Sequence, residues 1–331
     1  MGDGGTPGLA EGDPIRPGKS VDHSPLDNLL QGLQTSSGLF LVLTSGRMSG
    51  HDGAVRIPFS DAPRASIIIP TLGRPTSLRR CLESLYNQHT RDLEVILVHE
   101  KGELAALRNK GAALATTDIL IFIDDDVYCP PTWLESILES FTDPSVAGAS
   151  GPAIITEEFQ KNRDIFRFPL IKRAYDLLFL ERDALLPGRI TRAGTWTTGA
   201  CSEDCDYTGE VDYAEACNMA FRRGAFMDCD GFDTRFGGIG DWSEPDLAFR
   251  IRARSLGKIW FDRGSALYHE PSVTGAYLSR AQTGARLTNY LLFARRWVKP
   301  HWRHTIYKLF LRGYFGWKEI RWRLNRSTTA S

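Results

Sequence analysis

The sequence predicts an α/β fold in which a mostly parallel sheet is covered by helices on both faces and is flanked by two different tails. From Ala65 onward, short apolar runs alternate with amphipathic stretches, the pattern of buried parallel strands and surface helices. Residues 1–64 are rich in glycine and proline and are predicted to be disordered. Residues 285–331 are basic and aromatic, and we predict an amphipathic helical extension there. The main domain is therefore expected at residues 65–284.

The elements of the main domain follow from the spacing of its apolar residues. Short apolar runs predict strands at residues 66–69, Leu93–Val98, Ile119–Ile123 and Val146–Ser150. Apolar residues spaced three and four apart predict helices that begin at Pro75 and that span residues 103–115 and 132–141. The carboxyl ends of such strands form the edge where open α/β sheets bind ligands.

The composition limits the class of protein without naming a partner. The chain has 331 residues, of which 42% are hydrophobic and 24% charged, and its formal net charge is zero, which is ordinary for a globular protein. Six scattered cysteines do not predict a disulfide scaffold, so a reducing, cytoplasmic setting fits best. No signal-peptide pattern and no bilayer-length apolar run is visible. We expect a cytoplasmic protein that attaches at most to a membrane surface.

Three consecutive aspartates, Asp124, Asp125 and Asp126, directly follow the third predicted strand. Adjacent carboxylates repel one another, so a cation or a strong set of donors must offset their charge. Hard oxygen ligands favour Mg²⁺ or Mn²⁺, which are typically held by one or two carboxylates together with substrate phosphates. The alternative is a solvated acidic turn in which an aspartate caps the following helix. The run alone leaves both interpretations open.

Six short motifs occur in a fixed order along the chain. They are Ser66-Ile-Ile-Ile-Pro-Thr71, Arg108-Asn109-Lys-Gly111, Ile123-Asp-Asp-Asp126, Cys217-Asn218-Met-Ala-Phe-Arg-Arg223, Gly231-Phe232-Asp233 and Ser243-Glu-Pro-Asp-Leu247. Together they resemble glycosyltransferase family 2 over about residues 65–277, and the ordered set is far more specific than any one member. The resemblance implies a GT-A, Rossmann-like fold, a nucleotide-diphosphate-sugar donor, a DxD metal site and, usually, inversion at the anomeric carbon.

The resemblance also implies roles for individual residues on the donor side. The implied donor-binding residues are Pro70, Thr71, Arg74, Glu100, Arg108, Asp124 and Asp125, and the implied metal ligands are Asp126 and His269. Pro70 and Thr71 would flank the nucleotide pocket, and Arg108 would approach the base or the diphosphate. Where the family commonly has an acidic pair followed by Gly-Ser, this chain has His99-Glu100-Lys101-Gly102, so only Glu100 keeps the acid. The simpler interpretation of His269 is a surface or capping residue at a strand end.

An inverting transfer needs a base that takes the proton of the attacking hydroxyl, and a carboxylate suits this role. The candidates are Glu244, Asp246 and Asp241, near the start of a predicted helix. Ser243 and Asp246 have the spacing of a capping box, which gives Asp246 a structural role. We therefore favour Glu244, which aligns with the second acid of the family's Glu-Asp pair. Its alternative role is a first-turn acid that complements the helix dipole.

Asn218 and Trp242 are candidate acceptor-binding residues. The indole of Trp242 would serve as a platform for a sugar ring, and core packing is the alternative. Residues 285–331 carry eleven Lys or Arg residues and one acid, Glu319, interleaved with aromatic residues. Such helices lie on anionic membranes, which would favour a polyprenyl-linked saccharide acceptor, and the alternative is packing on the acidic domain. Nucleic acid is a weaker partner because no nucleic-acid-binding motif accompanies the charge.

The predicted function is metal-dependent, inverting transfer of a single sugar from a nucleotide-diphosphate sugar to a saccharide or lipid-linked hydroxyl acceptor. A sugar-phosphate nucleotidyltransferase would need a glycine-rich phosphate loop after the first strand, which residues 70–74 do not supply. A processive synthase would need membrane spans and a Gln-x-x-Arg-Trp sequence, whereas Phe293 takes the glutamine position before Arg296-Trp297. A sugar-binding relative without activity is the third alternative, and the intact acids argue against it.

Overall fold

The structure is a computed structural model of the chain. It describes residues 49–51, 53–72, 74–155, 168–180, 185–271 and 283–328, and for residues 49–51, 75, 283 and 318–328 it describes the backbone alone. The disorder predicted for residues 1–48 lies outside the described residues.

The described strands form a large sheet and a small one. The strands are β1 (Ser49–His51), β2 (Ala54–Pro58), β3 (Ala65–Pro70), β4 (Leu93–Val98), β5 (Ile119–Ile123), β6 (Val127–Tyr128), β7 (Val146–Ser150), β8 (Ala153–Ile155), β9 (Gly209–Val211), β10 (Asn218–Arg222), β11 (Lys258–Phe261) and β12 (Leu267–His269). The large sheet has the order β1-β2-β4-β3-β5-β10-β7-β11-β9, and the small sheet has the order β6-β12-β8.

The described helices cover both faces of the large sheet. They are α1 (Pro75–Tyr86), α2 (Leu104–Leu114), α3 (Trp133–Glu139), α4 (Pro169–Tyr175), α5 (Arg223–Asp228), α6 (Ser243–Ala253), α7 (Thr283–Trp297) and α8 (Trp302–Thr328). Helices α1 and α3 pack on one face, and α2, α5 and α6 pack on the other. A third apolar cluster joins α7 and α8 to the domain. The predicted α/β class is confirmed.

The large sheet is mixed, which corrects the prediction of a mostly parallel one. Strand β3 runs parallel to both β4 and β5, and β7 runs parallel to β11. Strand β10 lies antiparallel between β5 and β7, and β2 lies antiparallel to β4. An apolar run shows that a strand is buried, but it does not show the direction in which the strand runs. The bounds of β4, β5 and β7 are as predicted, and β3 is one residue longer at each end.

Strand β2 is an ordered part of residues 1–64, a segment that was predicted to be mostly disordered. Its residues Ala54 and Val55 are buried, and it extends the large sheet beside β4. Arg56 donates from Nε to the buried carboxylate of Glu94 at 2.5 Å, so a charge in β2 compensates a charge buried in β4. The strand has only five residues, and Glu94, which compensates the charge of its central arginine, lies 38 residues away in the sequence.

The basic extension packs on the main domain over its described length. Tyr290 and Phe293 of α7 are fully buried in the third apolar cluster, with Tyr307 of α8 beside them. Residue 284 is therefore not a structural boundary, because α7 contributes to the core of the domain. No helix in the described part of the chain is long and apolar enough to cross a membrane.

Candidate active site

The aspartate run lies at the carboxyl end of β5, where β6 begins immediately after it. Asp125 is fully buried, and its Oδ2 accepts a hydrogen bond from the Thr71 hydroxyl at 2.6 Å. Burial raises the pKa of Asp125, and the bonds from Thr71 and Arg74 act against that rise. Because β3 and β5 are parallel neighbours, their carboxyl ends lie at the same edge of the sheet, and this hydrogen bond to a buried carboxylate links them.

Asp124, Asp126 and His269 form a cluster that is suited to a divalent cation. One ligand atom from each lies within 4.8 Å of the others. His269 reaches the acids because β12 pairs with β6, which places its Nε2 3.1 Å from Asp126 Oδ1. Two carboxylates and an imidazole match the ligand preferences of manganese. The structure brings together the two predicted metal ligands and adds Asp124, which was assigned to the donor.

The carboxylates of the cluster repel one another, and a bound cation would offset that repulsion. Burial, together with the charges of Asp126 and Asp125, raises the pKa of Asp124 to about 6, against the lowering effect of Arg108 and His269. Burial lowers the pKa of His269, but Cys217, Asp126 and Asp124 together raise it well above its ordinary value. A cation competes with such protons for the same lone pairs.

Arg74 covers the aspartates from the loop after β3. Its NH1 donates to Asp126 Oδ2 at 3.0 Å, its Nε donates to Asp125 Oδ2 at 3.3 Å, and its NH2 also pairs with Asp125. The guanidinium is only partly buried, so one side of it faces solvent. It therefore stands beside the candidate metal ligands, where a diphosphate would need a donor.

Arg108 connects the aspartates to Glu244. Its NH1 donates to Glu244 Oε1 at 2.6 Å, and its NH2 lies 3.7 Å from Asp124 Oδ1 and donates to the Ala216 carbonyl at 3.0 Å. Its Nε has no hydrogen-bond partner among the residues that the structure describes. Arg108 is only 1% exposed, and its predicted contact with the donor stays a prediction. The motif match locates a side chain along the chain but does not show whether it is buried.

Of the three base candidates, Asp246 is the most deeply buried. This carboxylate is fully buried and accepts hydrogen bonds from Arg250 at 2.8 Å, Arg296 at 2.7 Å and Trp297 at 2.8 Å. It anchors α6 to α7, which favours a structural role over that of a base. Asp241 lies 3.3 Å from the Nε of Arg286 and remains a candidate.

The predicted capping box at the start of α6 is wrong. Trp242 precedes the helix with a positive φ of 70°, and no side chain caps it. The Ser243 hydroxyl has no hydrogen-bond partner within the described ranges. Asp246 pairs instead with Arg250 and with Arg296 of α7, because an uncompensated buried carboxylate is costly.

Glu244 lies in the first turn of α6 and is nearly buried. Burial raises its pKa, and the charge of Arg108 and its hydrogen bond act in the opposite direction. A carboxylate with a raised pKa is a stronger base than an exposed one. Glu244 is therefore the candidate that the geometry favours.

Asn218 and Trp242 are buried in the core, and their predicted contact with the acceptor stays a prediction. The Asn218 side chain is fully buried and is bonded to Trp133, to the Pro152 carbonyl and to the Ser265 carbonyl. Trp242 is 1% exposed, and its Nε1 donates to the Gly194 carbonyl at 2.9 Å. The packing interpretation of this indole fits the structure.

Glu100 and Pro70 lie at the carboxyl ends of their strands, as predicted. Pro70 is the last residue of β3. Glu100, just beyond β4, accepts a hydrogen bond from Lys110 at 2.6 Å. Glu100 thus forms an ion pair with Lys110 of α2, and its predicted contact with the donor stays a prediction.

The sequence analysis missed Glu215, a second acid near Glu244. The Tyr213 hydroxyl donates to Glu215 Oε1 at 2.9 Å, and the backbone N–H of Glu215 donates to the Ser150 hydroxyl at 2.9 Å. Burial, together with the charge of Glu244, raises the pKa of Glu215 to about 7, against the lowering effect of the bond from Tyr213. The signal was an acid within an otherwise apolar stretch directly before Cys217-Asn218.

We expect Glu215→Gln to stabilise the protein at pH 8 and to change little at pH 5. The folded state holds the Glu215 proton up to about pH 7, whereas the ordinary pKa is 4.5, so stability falls as the pH rises through this window. Because one pKa unit is worth roughly 1.4 kcal/mol, the gain at pH 8 is at most about 3 kcal/mol. Urea denaturation at both pH values measures it, with the exposed Glu210→Gln as control. An equal effect of Glu215→Gln at both pH values would contradict the prediction.

An α/β sheet that gathers two carboxylates and an imidazole beyond its strand ends is typical of proteins that bind phosphorylated ligands through a divalent cation. Comparison with known families makes this class specific. Residues 97–197 match the family model of glycosyl transferase family 2. This match confirms the resemblance to the family seen in the six motifs.

Two characterised relatives are similar to part of the chain. The glucosyl-dolichyl phosphate glucuronosyltransferase of Haloferax volcanii is 22% identical over 192 residues, which are 54% of this chain and 52% of the relative. The pre-mycofactocin glycosyltransferase of Mycobacterium tuberculosis is 28% identical over 243 residues, which are 66% of this chain and 43% of the relative. The chain thus spans about half the length of the relatives that it matches.

The fold is also similar to that of a solved glycosyltransferase. GalNAc-T7, in a structure with UDP, GalNAc and Mn²⁺, superposes with a TM-score of 0.51 at 14% identity, over 72% of this chain and 48% of that chain. At this level of identity the similarity shows the fold alone. The predicted GT-A fold is confirmed.

Proposed function

We propose that the chain transfers one sugar from a nucleotide-diphosphate sugar to a hydroxyl acceptor in a metal-dependent, inverting reaction. One observation carries the proposal. The cluster of Asp124, Asp126 and His269 lies at the carboxyl end of β5, and a single guanidinium, that of Arg108, separates it from Glu244. A cation-binding group and a carboxylate base therefore stand on two sides of one site, as a displacement reaction requires.

On the donor side, Asp124, Asp126 and His269 would hold Mg²⁺ or Mn²⁺. The ion would neutralise the charge that develops on the departing diphosphate. Arg74 presents its partly exposed guanidinium next to these ligands and would donate hydrogen bonds to the same phosphates. Thr71 holds Asp125 in place, so the loop after β3 keeps both the acid and the guanidinium in position.

On the acceptor side, Glu244 would take the proton of the attacking hydroxyl. As the acceptor oxygen bonds to the anomeric carbon, the bond from that carbon to the diphosphate breaks, and a single displacement inverts the configuration. Burial makes Glu244 more basic than an exposed glutamate, which favours proton transfer near neutral pH. Arg108 holds the carboxylate and offsets part of its charge.

We propose a saccharide or a polyprenyl-linked saccharide as the acceptor. The name of the Haloferax relative describes a glucosyl-dolichyl phosphate substrate, which supports a lipid-linked acceptor for this chain. Helix α8 exposes Trp302, Ile306, Leu309 and Trp317 at helical spacing among basic residues. Such a face suits the cytoplasmic surface of an anionic membrane. Absence of flotation with anionic vesicles would exclude that location.

A screen of nucleotide sugars tests the proposed function. The metal-free protein is mixed with UDP-, GDP- and dTDP-sugars, with and without Mn²⁺, and its melting temperature and the release of nucleotide are measured. We expect one nucleotide to raise the melting temperature only when Mn²⁺ is present, and its sugar conjugate to be hydrolysed slowly. Equal affinity for all three nucleotides with and without metal would contradict the proposal.

A further inference from the structure

A cleft of about 270 Å³ lies beside the candidate metal cluster, on the small sheet. Its lining residues are Arg80, Tyr128, Ile154, Glu203, Tyr268, His269 and Glu270. The volume is below the roughly 300–1,000 Å³ of pockets for drug-sized ligands, so the cleft fits a small ring better than a long chain.

Two exposed tyrosines form the floor of this cleft. Tyr128 of β6 pairs in register with Tyr268 of β12, which pairs in register with Ile154 of β8. The side chains are 42% and 41% exposed, and the ring centroids lie 6.4 Å apart at an angle of 48°. Soluble proteins seldom expose adjacent large aromatic rings without a use for them.

The rim of the cleft is polar and carries both signs of charge. Arg80 donates to both carboxylate oxygens of Glu270, at 2.5 and 3.0 Å, and Glu203 adds a second acid. The guanidinium is thus already compensated, so an anionic group such as a diphosphate would find no free positive charge in this pair. Carboxylates and a guanidinium provide acceptors and donors for hydroxyl groups. This chemistry favours a neutral polyol over a phosphate or an acyl chain.

The cleft adjoins the candidate metal cluster through His269. His269 lines it and also contacts Asp126 at 3.1 Å, and the backbone N–H of Glu270 donates to the Asp126 carbonyl at 2.9 Å. A ligand on the tyrosines would therefore lie against the side of the metal cluster that β12 forms.

We infer that this cleft binds a neutral sugar ring of the acceptor, with Tyr128 and Tyr268 as its stacking platform. The aromatic faces would contact the C–H face of a pyranose, and Arg80, Glu203 and Glu270 would bind its hydroxyl groups. The inference rests on the proposed function and names the class of acceptor. It replaces Trp242, whose indole is buried, as the aromatic platform.

Saturation-transfer NMR on the full chain tests the inference. The probes are methyl glycosides of glucose, galactose, mannose and N-acetylglucosamine, with Mn²⁺ and the nucleotide that the screen identifies. We expect at least one glycoside to bind, and the double variant Tyr128→Ala, Tyr268→Ala to raise its Kd about tenfold. The matched variant Tyr128→Phe, Tyr268→Phe keeps both rings and is expected to bind as the natural protein does.

The outcomes separate this inference from the proposed function. Binding of Mn²⁺ and nucleotide by both double variants, together with an unchanged melting temperature, confirms that they are folded. If the natural protein binds none of the neutral glycosides, or if the alanine variant binds them equally well, the inference is wrong. If no nucleotide sugar is bound or hydrolysed by the natural protein, the proposed function itself fails.

Discussion

Glu244→Gln is expected to bind nucleotide and metal as the natural protein does, and to lose sugar transfer by about 100- to 10,000-fold, the usual contribution of a positioned base. Glutamine keeps an oxygen that accepts the hydrogen bond from Arg108, so the buried guanidinium keeps a partner. What the variant loses is the ability to take a proton. Comparison of kcat for transfer with the Kd for nucleotide and Mn²⁺ measures both effects.

The pH profile provides a second measurement on the same variant. Glu244 acts as a base only when it is ionised, and its pKa is raised above the ordinary value of 4.5. Transfer should therefore decline as the pH falls through a pKa higher than that of an exposed glutamate, and the residual rate of Glu244→Gln should lack this decline. If Glu244→Gln retains transfer while Asp241→Asn loses it, Asp241 is the base.

Asp126→Ala is expected to abolish the metal-dependent binding of nucleotide. Its Oδ1 faces His269 Nε2 at 3.1 Å and its Oδ2 accepts from Arg74, so the substitution removes the central member of the cluster. Loss of a second-shell partner already weakens metal sites about 10- to 100-fold, and the loss of a direct ligand should exceed that range. The melting temperature with nucleotide, measured with Mn²⁺ and with EDTA, reports this change.

Asp118→Ala is the matched control for this experiment. Asp118 is exposed and directly precedes the other end of β5, so its removal leaves the cluster intact. We expect the control to keep the full rise in melting temperature that Mn²⁺ and nucleotide produce. A similar rise in Asp126→Ala would show that the cation, if one binds, is held elsewhere.

The sequence predicted those parts of the fold that depend on local pattern. The runs at Leu93–Val98 and Ile119–Ile123 are apolar throughout and end at polar residues, so both their existence and their bounds were visible. Strand β2 was not predicted, because Arg56 is accommodated by Glu94 and Thr116, which lie far away in the sequence. Strand direction was missed for a similar reason, since it depends on which strands become neighbours.

The predictions for the site also divide into those that followed from local sequence and those that depended on distant residues. The aspartate run and Glu244 were found because the motifs fix their positions along the chain, and His269 because the family resemblance implies a late histidine ligand. The structure brings them close together. The burial of Arg108 and the partners of Asp246 could not be predicted, because they depend on side chains far away in the sequence. The spacing of Ser243 and Asp246 indicated a cap, but Asp246 forms ion pairs with Arg250 and Arg296 instead.

The ion pairs of Asp246 have a practical consequence for the length of protein that can fold and work. This carboxylate has three donors, and two of them, Arg296 and Trp297, come from the last turn of α7. A truncated chain that ends at residue 284 would leave Arg250 alone to compensate a fully buried charge two residues from Glu244. The basic extension is therefore part of the catalytic unit, and the shortest version worth expressing must run past residue 297.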